Sequence, residues 1–189
     1  MAHPAVKLIT IAEYLDMEEQ SATKHEFIEG EVVAMAGASL AHNYIIANLL
    51  KEAGVHLDGG NCDVFPSDLK VTTPFSTSYL YPDVTIVCGK PELDENSPDT
   101  ITNPAVIIEV MSPSTQKNDR GYKFFTYMQI PSLKEYILIS STGMEVEHMR
   151  KQPDNAWQIT NATGPTGELY IQCIEMRLPF KSLYNKVSF

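Results

Sequence analysis

The stretch Ala105-Val106-Ile107-Ile108-Glu109-Val110-Met111 places one carboxylate inside an otherwise apolar run of β-prone residues. That is the pattern of a strand buried on both faces. An ionised carboxylate in such a place costs several kcal/mol unless a cation or donors compensate it. A chain built around this strand must therefore set something positive beside Glu109, either a lysine or arginine in a structural ion pair or a metal ion. Asp83 raises the same question one segment earlier. It follows Pro82 and precedes Val84-Thr85-Ile86-Val87, so it is either an ordinary turn aspartate or the opening residue of a second buried strand. If the two strands are neighbours, their carboxylates converge on a gap of about 5 Å, the inter-strand spacing. That gap accommodates one Mg²⁺, a hard cation that takes oxygen ligands and keeps waters for substrate phosphates.

The remaining segments read as a framework for these two. Thr10 with Glu13 forms an N-cap signature before a short first helix. Lys24 to Met35 reads as a hairpin about Glu29-Gly30. Ser39 to about Leu57 carries a broad apolar stripe and reads as the longest helix, closed near Gly59-Gly60. Strands are expected at Cys62–Thr72, Leu80–Cys88 and Ala105–Met111, with an acidic, solvated loop from Gly89 to Pro104. Tyr122, Phe124, Phe125, Tyr127 and Met128 suit a helix ending before Pro131, and Leu133–Ser140 suits another buried strand. Met144–Arg150, Trp157–Thr160 and Leu169–Ile174 read as a C-terminal antiparallel meander. The order predicts an α/β (α+β) chain, a mixed β-sheet core flanked by helices, with residues 1–189 forming one domain.

Composition limits what such a fold can do. Fourteen basic residues against 24 acidic ones give a formal net charge of −10, which opposes non-specific attraction to a phosphate backbone. Any nucleic-acid contact must come from a local basic patch, and Lys117, Arg120 and Lys123 form such a cluster in the sequence. No window reaches the roughly 18 apolar residues of a membrane span, and the N-terminus has no signal-peptide pattern, so a cytoplasmic protein is expected. The three cysteines, Cys62, Cys88 and Cys173, lack CxxC spacing and read as reduced thiols. The histidines never fall at HExxH spacing, which argues against a catalytic zinc.

Lys123 lies early in the helix that follows the Glu109 strand. A helical lysine is ordinarily a solvated surface residue, but the first turns of this helix can fold back over the strand end. The series Tyr81-Pro82-Asp83-Val84, Ile107-Ile108-Glu109-Val110-Met111-Ser112-Pro113-Ser114-Thr115 and Asp119-Arg120-Gly121-Tyr122-Lys123-Phe124 resembles the Uma-two family of bacterial restriction-endonuclease-like proteins, within the PD-(D/E)XK nuclease superfamily. Glu29-Gly30-Glu31-Val32-Val33, Ala41-His42-Asn43 and Ser67-Asp68-Leu69-Lys70-Val71 extend the resemblance over nearly the whole chain.

The resemblance implies a restriction-endonuclease-like core in which Asp83, Glu109 and the carbonyl of Val110 hold Mg²⁺, with Mn²⁺ as an alternative. The superfamily's lysine belongs two residues after the acid, where this chain has Met111. Lys123 matches a position on the following helix to which that lysine has moved. Glu31 and His42 match family positions beside the core, with ordinary readings as a solvated strand residue and a helix-start histidine. From the residues themselves, Asp68 is a third carboxylate or a turn residue, Ser112 a hydrogen-bond partner near Glu109 or loop chemistry before Pro113, and Arg120 a supporting member of the basic cluster. The function implied is hydrolysis of DNA phosphodiester bonds by a homodimer. The alternative is an inactive nuclease-fold protein that binds nucleic acid or a partner protein.

Overall fold

The computed structural model describes residues 8–74 and 78–189. Helix α1, Ile11–Gln20, starts at a reciprocal cap: the Glu13 amide donates to Thr10 Oγ1 (3.2 Å) and the Thr10 amide donates to Glu13 Oε2 (2.7 Å). Strands β1, His25–Ile28, and β2, Glu31–Ala34, make the expected hairpin. Both turn residues have positive φ, Glu29 at 51° and Gly30 at 96°, the combination that matches the twist of paired strands. Ser39 caps α2, Leu40–Leu57, by accepting from the His42 amide.

The next segments divide between two sheets. Cys62–Thr72 is two strands, β3 (Cys62–Pro66) and β4 (Lys70–Thr72). The following segment is likewise β5 (Tyr79–Leu80) and β6 (Val84–Cys88), interrupted at Pro82. The stretch expected as a solvated acidic loop instead contributes β7 (Leu93–Asp94) and β8 (Ser97–Ile101). Its acids obscured a strand whose Ser97, Thr100 and Ile101 are buried, while Asp99 reaches outward to Lys70 at 2.5 Å.

Strand β9, Val106–Met111, lies at the centre of the second sheet, between β6 (antiparallel) and β10, Glu135–Ser140 (parallel). Adding β11 (Glu145–Lys151) and β12 (Trp157–Thr163), that sheet runs β12-β11-β10-β9-β6-β3, and the first runs β2-β1-β5-β4-β8-β7. The C-terminal meander is therefore only partly as read from the sequence. β11 and β12 extend the central sheet, whereas β13 (Glu168–Ile171) leaves it to pair with β14 (Met176–Pro179).

Period-two alternation sorts the two faces of β9. Val106, Ile108 and Val110 pack with Ile45, Leu49 and Ala53 of α2, and with Leu178 and Phe180 from the C-terminal ribbon and the short helix Phe180–Leu183. Ile107 and Met111 point the other way, into a core shared with Val71, Leu80 and Ile101 of the first sheet. Glu109 shares that second face, between the two sheets. Phe180 is fully buried, and Trp157 packs edge-on against Phe124 with centroids 5.5 Å apart.

Cys62 and Cys88, read from the sequence as free thiols, oppose each other in the β3–β6 register and form a disulfide; Cys173 is the free cysteine among the described residues. A separation of 26 residues gave no sign of the pairing, which the antiparallel register creates.

Candidate active site

Antiparallel pairing of β6 with β9 sets Val84 opposite Ile108, and the same register carried one residue further sets Asp83 opposite Glu109. Asp83 is fixed twice through one oxygen: its Oδ2 accepts from the Val110 amide (2.7 Å) and lies 3.1 Å from His42 Nε2. His42 sits in the first turn of α2, where the Ser39 cap starts the helix against the sheet. Glu109 is 3% exposed. Its Oε1 accepts from Lys123 Nζ (3.0 Å) and from Tyr127 Oη (3.3 Å).

Lys123 reaches Glu109 because of an irregularity in its helix. A short α-helical turn, α3 (Gln116–Asn118), leads into a π-helical turn, Asp119–Lys123, and then into α4 (Phe124–Tyr127). Such wide turns favour functional sites. Here the wide turn buries both Asp119 and Lys123 while Arg120 points outward to Glu147. Tyr136 Oη donates to the Asp119 carbonyl (2.9 Å) and ties the turn to β10.

The same ammonium lies 2.8 Å from Oε1 of Glu26 on β1, an oxygen that also accepts from the Tyr81 amide (3.2 Å). Lys123 thus bridges the two sheets. Glu26, Tyr127 and Asp119 escaped the reading of the sequence. The hairpin's other glutamate, Glu31, drew attention through the family motif but is exposed on β2. For Tyr127 the signal was its four-residue spacing from Lys123 on one helical face.

The electrostatics are lopsided. Among the described residues Glu26, Glu109 and Asp119 act on the single ammonium of Lys123, and Asp83 adds its charge to Glu109 from the neighbouring segment. Burial pushes the Glu109 carboxyl well above its ordinary value, Lys123 opposes this, and Asp83, Asp119 and Glu26 reinforce it. Asp119 is raised in the same way, by burial first. For Lys123 burial favours the neutral amine, but Glu109, Glu26 and Asp119 outweigh it and hold the lysine protonated.

The structure does not bring the other supporting residues into this group. The Asp68 side chain is 81% exposed and pairs with Lys24. Ser112 accepts from the Thr115 amide (3.2 Å) at the helix start, which is loop chemistry. Arg120 is engaged with Glu147.

Among the described residues no three His, Cys, Asp or Glu side chains form a ready-made cation cage. The donor chemistry nevertheless fits a hard divalent ion. Carboxylates outnumber the cation, and the bonds above use Asp83 Oδ2 and Glu109 Oε1, leaving Asp83 Oδ1 and Glu109 Oε2 outside them.

A mixed sheet carrying opposed carboxylates at its centre, with a helix folded over the strand end, is a nuclease-type α+β architecture. The fold matches a crystal structure from Anabaena variabilis described as "a putative nuclease belonging to DUF820", with a TM-score of 0.78 at 16% identity, covering 95% of this chain and 99% of that one. The chain belongs to the Uma2 family, "Putative restriction endonuclease", whose model matches residues 11–179. It is similar to two uncharacterized proteins of Synechocystis sp. One, sll1609, is 38% identical over 169 residues, 89% of this chain and 96% of that protein. The other, slr1290, is 37% identical over 177 residues, 94% and 92% of the respective chains. No helix among the described residues is long and apolar enough to cross a membrane.

Proposed function

We propose that this protein is a divalent-metal-dependent nuclease that hydrolyses DNA phosphodiester bonds, working as a homodimer in the cytoplasm. The observation that carries this reading is Asp83, immediately before β6, set opposite Glu109 of the adjacent β9, with the Lys123 ammonium 3.0 Å from Glu109.

Asp83, Glu109 and the Val110 carbonyl would hold Mg²⁺ or Mn²⁺. When bound, the ion supplies Lewis-acid polarisation of the phosphoryl oxygen and stabilises the leaving oxygen. His42 fixes the rotamer of Asp83 through Oδ2, and the Val110 amide does so from the strand. Glu26 and Glu109 together aim the Lys123 Nζ–H bonds. Flanked by carboxylates, Lys123 keeps its proton and acts as a donor, orienting the attacking water or meeting the negative charge that develops on the phosphate. No covalent intermediate is needed.

The test is cleavage of single- and double-stranded DNA in Mg²⁺ or Mn²⁺ with Asp83→Asn as the blank. Cleavage above the blank that also falls about 10² in Lys123→Ala, the scale of a positioned proton-handling group, supports the reading. Wild type indistinguishable from the blank on every substrate removes it.

A second reading rests on the same contact. Because Oε1 of Glu109 is already bonded by Lys123 and Tyr127, the buried charge is partly satisfied without an ion. That suits an inactive nuclease fold that binds nucleic acid or a partner protein. DNA binding without cleavage in either metal favours it.

A further inference from the structure

The basic cluster expected from the sequence to meet the phosphate backbone is largely consumed inside the protein. Lys123 is buried against Glu26 and Glu109, and Arg120 is paired with Glu147. Lys24 and Lys70 are likewise paired, with Asp68 and Asp99. With a formal net charge of −10, the surface that meets a polyanion has to be found elsewhere.

Lys134, Arg150 and Lys151 converge on one cleft of about 640 Å³ where β10 begins and β11 ends. The Lys151 amide donates to the Lys134 carbonyl (2.8 Å), and Arg150 lies opposite Glu135 in the β10–β11 register. None of the three forms an ion pair with a carboxylate among the described residues. Arg150 is instead oriented by neutral acceptors: its guanidinium donates to Gln172 Oε1 (2.7 Å) and Gln158 Oε1 (3.1 Å).

The one acid in the cleft wall, Glu135, is already spoken for. It accepts from the Gln172 and Cys173 amides at 3.1 and 2.6 Å and lies 2.6 Å from His148 Nε2. The Cys173 thiol, pushed up to about 12 by burial and by Glu135, stays neutral and adds no opposing charge. Gln152, whose amide donates to the Arg150 carbonyl (3.2 Å), and Asn155 complete a wall of neutral polar groups.

We propose that this cleft binds the phosphodiester backbone of a nucleic-acid strand at a contact separate from the carboxylate site. Glu135 pairs with Val106 and Leu138 with Glu109, so the cleft lies about 10 Å along the strands from the level of Glu109. The inference concerns binding and builds on the nuclease reading only in its choice of ligand.

The experiment is fluorescence anisotropy of labelled DNA and RNA oligonucleotides in chelator, so that nothing is cut, across a salt series. The proteins are wild type, Lys134→Gln/Lys151→Gln, Asp83→Asn and Lys181→Gln, the last replacing an exposed lysine elsewhere. Each lost phosphate contact lowers the salt slope by about 0.7 to 0.9. The double variant is expected to lose about 1.4 to 1.8 from the slope and to bind at least about tenfold more weakly. Lys181→Gln keeps the wild-type slope.

An unchanged slope in the double variant, an equal loss in Lys181→Gln, or no binding by wild type overturns the proposal. So does a polyglutamate probe that binds as tightly as the oligonucleotides with the same lysine dependence, which assigns the cleft to an acidic protein partner. If Asp83→Asn abolishes cleavage while the double variant binds normally, the cleft fails and the nuclease stands. If wild type cuts nothing while the double variant loses binding, the cleft stands and the nuclease fails.

Discussion

Lys123 Nζ lies 3.0 Å from Glu109 Oε1, joining a helix to the centre of the sheet across 14 residues of sequence. The positive group demanded by a carboxylate in an apolar strand is thus supplied from within the chain. It is a single charge acted on by Glu109, Glu26 and Asp119, with Asp83 beside Glu109, so the ion pair and a bound cation are compatible rather than exclusive.

That imbalance makes the two partners unequal. Lys123→Met removes the ammonium that faces Glu26, Glu109 and Asp119 and leaves these carboxylates with one another, so it is expected to cost about 3 to 5 kcal/mol. Glu109→Gln removes one of the excess charges while Lys123 keeps Glu26, so without metal it is expected to be neutral or stabilising. Urea unfolding in chelator measures both. Equal destabilisation by the two substitutions would show that Glu109 is there chiefly as a structural ion-pair partner.

His42→Ala tests the orientation of Asp83. Groups that hold a metal-binding carboxylate from behind are typically worth about 10- to 100-fold in metal affinity. Mn²⁺ titration calorimetry on His42→Ala is expected to show a loss in that range with the fold retained. Affinity equal to wild type would separate His42 from the site.

Glu135 gives a pH signature away from the site. Burial raises its carboxyl, but the His148 contact and the Cys173 and Gln172 amides outweigh burial and hold it below its ordinary value. A depressed carboxyl contributes stability that is complete above the unfolded value, about 4.3, and is lost as pH falls through the folded value. Glu135→Gln is therefore expected to be less stable by about 1 to 3 kcal/mol at neutral pH, the desolvation cost of imperfectly satisfied buried groups. The gap should close below about pH 4. Thermal unfolding across pH reads it, and a gap that stays constant into acid refutes the assignment.

β12 is the expected dimer seam. The other free edges of the two large sheets carry protection: Asp63 and Pro66 on β3, Glu31 on β2, and a length of only two residues with Asp94 on β7. Trp157-Gln158-Ile159-Thr160-Asn161-Ala162-Thr163 has neither charge nor proline, and Ile159 is 59% exposed. Such an edge pairs readily with its own copy about a two-fold axis. Light scattering should give the mass of two chains for wild type and of one chain for Thr160→Lys. A wild-type monomer at every concentration, or a Thr160→Lys dimer, rules this seam out.

The local signals in the sequence were read well where chemistry is local. The Thr10 cap, the Glu29-Gly30 turn and the stripe of α2 all lie within a few residues of the structure they produce. Asp83 and Glu109 were legible because a charge in a buried strand is conspicuous. Glu26 was not, since its partner Lys123 is far along the chain and only the approach of two sheets brings them together. The division of Leu80–Cys88 between those sheets was hidden for a related reason. Apolar continuity shows that a segment is buried, but not which layer buries it. The basic cluster at Lys117, Arg120 and Lys123 looked solvated because the sequence does not display the acids that neutralise it.

The π-helical turn at Asp119–Lys123 acts as a phase shifter. It takes one residue more than an α-helical turn, so everything after it is advanced by about 100° relative to a regular helix. Deleting Gly121, where nothing lies within 4 Å of an added Cβ, would let the turn close. Lys123 would then move out of step with the half of the helix that anchors on Tyr136, or Phe124 and Tyr127 would leave the core to follow it. Substituting the same glycine leaves the count intact and should be mild. At this point in the chain the position of the ammonium is encoded by the number of residues, to which a side-chain scan is blind.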